Sequence, residues 1–441
     1  MIARTIASIS TPPGTSGVAV IRVSGPDAAK VAIQLTGRVP SARRATLVTL
    51  TDPASCEPLD RALALWFPGP HSFTGEDVLE LQVHGGRAVV AAVLQAVLAV
   101  PGSRPAEPGE FTRRAFENGR LDLSEVEGLG DLLQAETQAQ RRQGYGLFTG
   151  RLTSEADRLQ ARLLPILAGV EATIDFPDEG DVTGAALVSA RRDLSLLAAD
   201  VDALLAGAAR GEKVRDGVIV AIAGPPNAGK STLLNALARR DVAIVSAVAG
   251  TTRDNLEVHL DLGGVAVILV DTAGLRETVD PVEAEGIRRT RERMAGADLT
   301  LWLCAGAPAG DADLAAGPGR SELWRIATQI DRGGAVRPDA AHRISALTGE
   351  GMAGLVDAIA SFAAARTGGE PAVVVHQRHR LIFQEAADAL ASALALPAWD
   401  DQPELVAERL RQGLAALGRS RGRVGTEAML DQLFSAFCIG K

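Results

Sequence analysis

The stretch Val218-Ile-Val-Ala-Ile-Ala-Gly-Pro-Pro-Asn-Ala-Gly-Lys-Ser-Thr232 decides the fold. Its apolar start reads as a short buried strand, its glycine-rich middle as a turn, and residues 232–238 as a helix. A phosphate-binding loop needs that order. Glycines at 224 and 229 let backbone N–H groups close around phosphate oxygens at a helix N-terminus, where the helix dipole favours negative charge. Lys230 then neutralises β- and γ-phosphate charge, and the Ser231 hydroxyl is placed to ligate Mg2+. Asn227, Ala228, Gly229, Lys230, Ser231 and Thr232 are the first candidate nucleotide ligands. Without its flanks the segment would be an ordinary strand-to-helix turn; strand, loop and helix together make it specific.

Downstream segments extend the site. After the apolar run 265–270, Asp271-Thr272-Ala273-Gly274 puts a carboxylate at a strand end, where it can hold the Mg2+ shell, and a glycine N–H where it can sense the γ-phosphate. Between loop and strand, Gly250-Thr-Thr-Arg-Asp254 offers Thr252 as a switch residue closing on Mg2+, although Thr and Asp favour capped turns as well. Resemblance to the translation-factor-like GTPases implies that Thr328-Gln-Ile-Asp331 is the base-recognition segment, where the carboxylate of Asp331 would accept both the N1–H and the 2-amino group of guanine and favour GTP over ATP. The same resemblance implies that Ser345-Ala346-Leu347 is the companion loop whose backbone supports the guanine oxygen.

In this order the segments resemble the translation-factor-like GTPases, with two departures. That pattern carries Asn-Lys-x-Asp where this chain has Thr328 and Gln329, and Gln329 lacks the lysine stem that packs on the base. Leu275 stands where Ras-type proteins carry a glutamine that orients water, which an apolar side chain cannot do. Glu277, Asp280 and Glu283 are the acids that follow; read alone they are either a replacement or a solvated acidic helix start.

The rest of the chain is an ordinary globular sequence. Its 441 residues exceed one domain at ~150 residues each. A net charge of -9, with 46% hydrophobic and 22% charged residues, excludes a disordered chain and argues against a broad nonspecific nucleic-acid surface. Three scattered cysteines support neither a disulfide framework nor a cysteine zinc site, and with no signal-like start or membrane-length apolar run the expected location is cytoplasmic. His376-x-x-His379 has half a metal-site spacing, but without further ligands nearby it reads as a helix N-terminal pair on the bundle surface. The fold expected is mixed α/β and α+β in several domains. An α+β domain spans 1–120, helices fill 121–214, a P-loop α/β domain occupies 215–370, and helices return over 371–441 to complete one discontinuous bundle.

Further segments carry a closer resemblance. They are Ser10-Thr-Pro-Pro-Gly-Thr-Ser-Gly-Val-Ala-Val-Ile-Arg22, Phe73-Thr-Gly-Glu-Asp-Val-Leu-Glu-Leu-Gln-Val-His-Gly-Gly86, Pro108-Gly-Glu-Phe-Thr-Arg-Arg-Ala-Phe-Glu-Asn-Gly-Arg-Leu-Asp-Leu123 and the tail Phe437-Cys-Ile-Gly-Lys441. With the GTPase motifs they resemble the MnmE (TrmE) family of tRNA-modification GTPases over essentially the whole chain. The resemblance implies a folate-binding, dimerising N-terminal domain, a split helical domain and an inserted Ras-like GTPase. It implies a tetrahydrofolate derivative near Arg22, Glu80, Arg120 and Lys441; without it these read as surface ion-pair residues, and Arg120 stands where many members have Lys.

The resemblance also implies K+ ligated by Asn227 with help from Ser246, Ala247, Val248, Ala249, Gly250 and Thr251. Ser246, Val248 and Thr251 would be ligands of that ion, and Ser231 and Thr252 ligands of Mg2+. Glu283 matches the family's catalytic glutamate. Cys438 is a candidate reactive thiol, or else a small apolar residue packing the last helix. The implied partners are a second copy of the chain, the flavoprotein MnmG in a heterotetrameric complex, and tRNA. The alternative is a regulatory GTPase switch acting on RNA or ribosomes, with no one-carbon chemistry.

Overall fold

The computed structural model describes residues 4–175, 180–225, 227–240, 242–244, 257–271, 296–305, 322–333, 339–422, 427–435, 437 and 440; for 180–184, 271, 427–429 and 432 it describes the backbone. The chain forms two compact units, Met1–Gly130 with Arg419–Lys441, and Asp131–Gly418.

In the first unit, β1 (Thr5–Ile9), β2 (Ser16–Ser24), β3 (Thr46–Thr51), β4 (Pro58–Phe67), β5 (Val78–Gly85) and β6 (Ser103–Pro105) form one sheet in the order β3-β4-β5-β2-β1-β6. Strand alternation makes it two-faced. Ala19, Ile21 and Val23 of β2 are buried in a core shared with α1 (Ala28–Thr36) and α2 (Arg87–Ala99), including Val31, Leu35, Val93 and Val97. Each such Val, Leu or Ile side chain contributes ~1.5–3 kcal/mol when fully buried. Arg22, between Ile21 and Val23, therefore faces the other way. The register of β2 on β5 sets Arg22 directly opposite Glu80. Beyond β6 come α3 (Glu110–Glu117) and α4 (Leu123–Gln134).

The C-terminal helix Glu427–Ser435 packs on α3. A Cβ on Gly109, which starts α3 at φ 68, would lie 2.3 Å from Phe434 O. At the tail, Ser10 Oγ donates to Gly440 O at 3.1 Å, and a Cβ on Gly440 would lie 2.3 Å from Ile9 O. Only glycine fits either place.

In the second unit α5 (Gln138–Phe148), α6 (Arg151–Asp175), α7 (Gly180–Ala206) and α8 (Ala208–Asp216) lead into a second sheet. A capping box starts α5, with Thr137 and Gln140 satisfying each other's backbone N–H. The sheet order is β12-β11-β10-β7-β9-β8, from β7 (Val218–Ala223), β8 (Glu257–Leu262), β9 (Val265–Asp271), β10 (Leu299–Ala305), β11 (Glu322–Thr328) and β12 (His342–Arg343). It is parallel except for β8. Its core takes Leu233, Leu234 and Leu237 from α9 (Lys230–Ala238) and Leu355, Ile359 and Phe362 from α10 (Met352–Thr367).

The helices α11 (Gln377–Leu394) and α12 (Pro403–Gly418) share a separate core with α6 and α7, built on Leu159, Leu163, Leu194, Phe383, Leu390 and Leu410. Where the chain enters the second sheet, Arg215 donates to His376 Nδ1 at 2.5 Å, and His376 Nε2 meets Asp131 at 2.9 Å. His379, expected on the surface with His376, is fully buried: one turn into α11 it falls on the face that packs inward. No helix among the described residues is long and apolar enough to cross a membrane.

Candidate functional sites

The glycine-rich loop leaves the C-terminal end of β7, whose neighbours β9 and β10 lie on opposite sides. That is a topological switch point, where open parallel sheets bind ligands. The β7–β9 register sets Asp271 opposite Ile222, two residues before Gly224. Gly224 has φ 144, and a Cβ there would lie 2.5 Å from Leu303 O on β10, so the loop's first residue must be glycine. Asn227 and Gly229 are also left-handed, at φ 59 and φ 93, and Gly229 begins α9. Lys230 Nζ donates to Gly224 O and Pro225 O, both at 2.9 Å, so its charge is folded over the loop. Ser231 and Thr232 follow in the first turn of α9.

The segment after β11 is tied to this loop by side chains. Thr328 Oγ1 lies 2.7 Å from Ala228 O and 3.3 Å from Cys304 O, and Gln329 Nε2 donates to Asn227 O at 2.8 Å. Asp331 is exposed, and a hydrogen bond from the buried Ser345 hydroxyl holds its carboxyl below the usual range. It stays ionised at neutral pH, as an acceptor for two N–H groups must. Ala346 is half-buried and Leu347 exposed. Of the other nucleotide-site candidates, 246–252, 272–274 and Glu283 lie outside the described residues, and Asp271 is placed by its backbone.

In the first unit Arg22 Nε donates to Glu80 Oε1 at 2.8 Å, and its guanidinium carbon lies 5.5 Å from the Phe73 ring centre and 5.7 Å from that of Phe111. Gly440 O is 3.5 Å from Arg22 NH1, which brings the tail to this arginine. Arg120 is exposed, makes no hydrogen bond to Arg22 or Glu80, and lies close to Gly75. Cys438 and Lys441 lie outside the described residues. The same unit holds a charged knot: Arg114 bonds Glu76 and Glu110 at 2.9 Å each, and Arg104 bonds Glu110 at 2.5 Å. Burial pushes the Glu110 carboxyl up, but Arg104, the Glu107 N–H and Arg114 outweigh it and hold it below the usual range.

A family model described as the GTP-binding protein TrmE N-terminus matches residues 5–120, and one described as the MnmE helical domain matches residues 123–438. The chain belongs to the MnmE (TrmE) family. A relative named tRNA modification GTPase MnmE, from Rhodopseudomonas palustris (strain BisB18), is 48% identical over 448 residues, covering 99% of each chain. One of the same name from Methylobacterium sp. (strain 4-46) is 53% identical over 439 residues, 97% of each. Among solved structures, an Era variant from Aquifex aeolicus bound to GDP.AlF4- is 27% identical over 33% of this chain and 56% of that one, with a TM-score of 0.26.

The residues that flank Arg22 in this MnmE chain, Phe73 and Phe111, were not singled out by sequence, although each lies inside a motif that carries the family resemblance. An aromatic residue in such a motif is the signal that was there to use. The tether from Thr328 and Gln329 to the MnmE phosphate loop had no sequence signal, because it joins residues about 100 positions apart.

Proposed function

We propose that this chain hydrolyses GTP in the service of tRNA modification, working with a flavoprotein partner, MnmG, to place an aminomethyl or carboxymethylaminomethyl group at C5 of the wobble uridine. The observation that carries the reading is the phosphate loop at the β7 switch point in a chain that matches relatives named tRNA modification GTPase over 99% of its length. Backbone N–H groups at the start of α9 bind the phosphates, Lys230 neutralises their charge and Asp331 selects guanine. Glu283 orients the attacking water, which Leu275 cannot. Ser231 and Thr252 would hold Mg2+, which neutralises phosphate charge. Asn227, with Ser246, Val248 and Thr251, would hold K+, which stabilises charge developing in the transition state. Equal turnover in NaCl and KCl at matched ionic strength would exclude that role for K+.

In the first unit the residues fit a folate. Arg22 suits a glutamyl carboxylate, Glu80 the donor edge of a pterin, and Phe73 and Phe111 add aromatic surface beside them. The folate would supply the one-carbon unit; the chain's part is to bind and orient it, with Arg120, Lys441 and Cys438 completing the site. The deciding experiment is mass spectrometry of tRNA from cells lacking this protein. Loss of the wobble-uridine modification, restored by the intact gene, supports the reading. Unchanged tRNA would favour the RNA- or ribosome-associated switch without one-carbon chemistry, as would failure of 5-formyl-tetrahydrofolate to bind in equilibrium dialysis.

A further inference from the structure

We propose that Gln329 and Arg332 together replace the lysine of the Asn-Lys-x-Asp pattern, with Gln329 as the positioning residue and Arg332 supplying positive charge through it. The proposal rests on reading 328–331 as the base-recognition segment. Gln329 is left-handed at φ 58 and reaches the equally left-handed Asn227. Its Nε2 donates to Asn227 O at 2.8 Å, and its Oε1 accepts from Arg332 NH1 at 3.0 Å. The loop backbone is close behind: a Cβ on Gly229 would lie 3.8 Å from Gln329 Nε2.

Both ends of the amide are thus engaged, and engaged in one sense. Arginine only donates and a carbonyl only accepts, so turning the amide over would break both bonds at once. A cation on Oε1 polarises the amide and strengthens the N–H donor at its other end. Thr328 adds a second, neutral anchor on the adjacent carbonyl, Ala228 O. Arg332 is the one basic residue in 328–333 and belongs to the short turn Ile330–Arg332, which also carries Asp331. The place of the one lysine is thus divided between two residues three positions apart, Gln329 tethering the loop and Arg332 bringing positive charge to that tether. Nucleotide release then depends on an exposed arginine that never has to touch the nucleotide.

The test is the dissociation rate of methylanthraniloyl-GDP from the full chain. Gln329→Ala and Arg332→Ala should each speed release about five- to tenfold, as expected for losing one ordinary hydrogen bond from the tether. The double variant should be no faster than the faster single one, because the two residues act in series. In a Gln329→Lys background, where stem and charge return together, Arg332→Ala should change the rate by less than about twofold. Additive effects, or an Arg332→Ala effect that survives in Gln329→Lys, overturn the proposal; should Gln329→Ala fold poorly, the Gln329→Lys arm decides alone. Asp331→Asn tests the underlying reading, since an amide there complements the 2-oxo edge of xanthine and should shift preference from GDP toward XDP. No shift overturns that reading and the proposal with it, whereas a shift alongside additive effects overturns the proposal only.

Discussion

The phosphate loop and the Arg22–Glu80 pair are built in opposite ways. The loop takes its chemistry from a few nearby residues: Gly224 and Gly229 are set by positive φ, Gly224 also by its close approach to Leu303 O, and Lys230 by bonds to Gly224 O and Pro225 O. The pair takes its chemistry from sheet register, with side chains 58 positions apart meeting because β2 lies on β5. The first kind of site tolerates change around it so long as the turn survives. The second is hostage to everything that holds the sheet and its charged knot in place.

That contrast can be broken most sharply at Arg114. Removing it leaves Glu76 and Glu110 facing each other with one cation fewer, which should destabilise the first unit by about 3–5 kcal/mol in urea unfolding. The same variant should keep its GTP turnover; parallel loss of both would show that the two sites are not independently built. Next in size, Glu283→Ala should lower kcat for GTP by about 10²-fold, with nucleotide affinity little changed. A larger loss from Glu277→Ala or Asp280→Ala would move the water-orienting role.

Gly440→Ala should weaken 5-formyl-tetrahydrofolate binding by about tenfold, because a Cβ 2.3 Å from Ile9 O must push the tail away from Arg22. Unchanged dialysis curves would remove the tail from the site. The smallest effect is the pH dependence of the first unit. Glu110 has its carboxyl held low in the folded state, so its contribution is present above the ordinary carboxylate range and lost as pH falls through the lowered folded value. Glu110→Gln should flatten stability against pH below about 4, where the parent loses this contribution.

Legibility from sequence followed the same divide. The strand, loop and helix over 218–238 are readable because each depends on near neighbours. Arg22 and Glu80 emerged only through family resemblance, since nothing in either strand says which residue it will oppose. Buried His379 was misplaced for a related reason: spacing assigns a residue to a helix face, but which face turns inward depends on partners far along the chain. The tether from Gln329 to Asn227 joins two loops, and loops carry no periodicity from which a contact can be read.

The bond between Arg215 and His376 spans 161 positions, and all six strands of the second sheet lie between its two ends. Closing a flexible loop of that length costs roughly 4.5 kcal/mol beyond a constant term. Once the enclosed segment has folded with its two ends side by side, the helices on either side meet as though joined by a few residues, and most of that cost disappears. Assembly of the helical core on α6, α7, α11 and α12 is therefore thermodynamically downstream of the domain it surrounds. A guanine nucleotide that stabilises the insert should raise the melting temperature of helices it never touches.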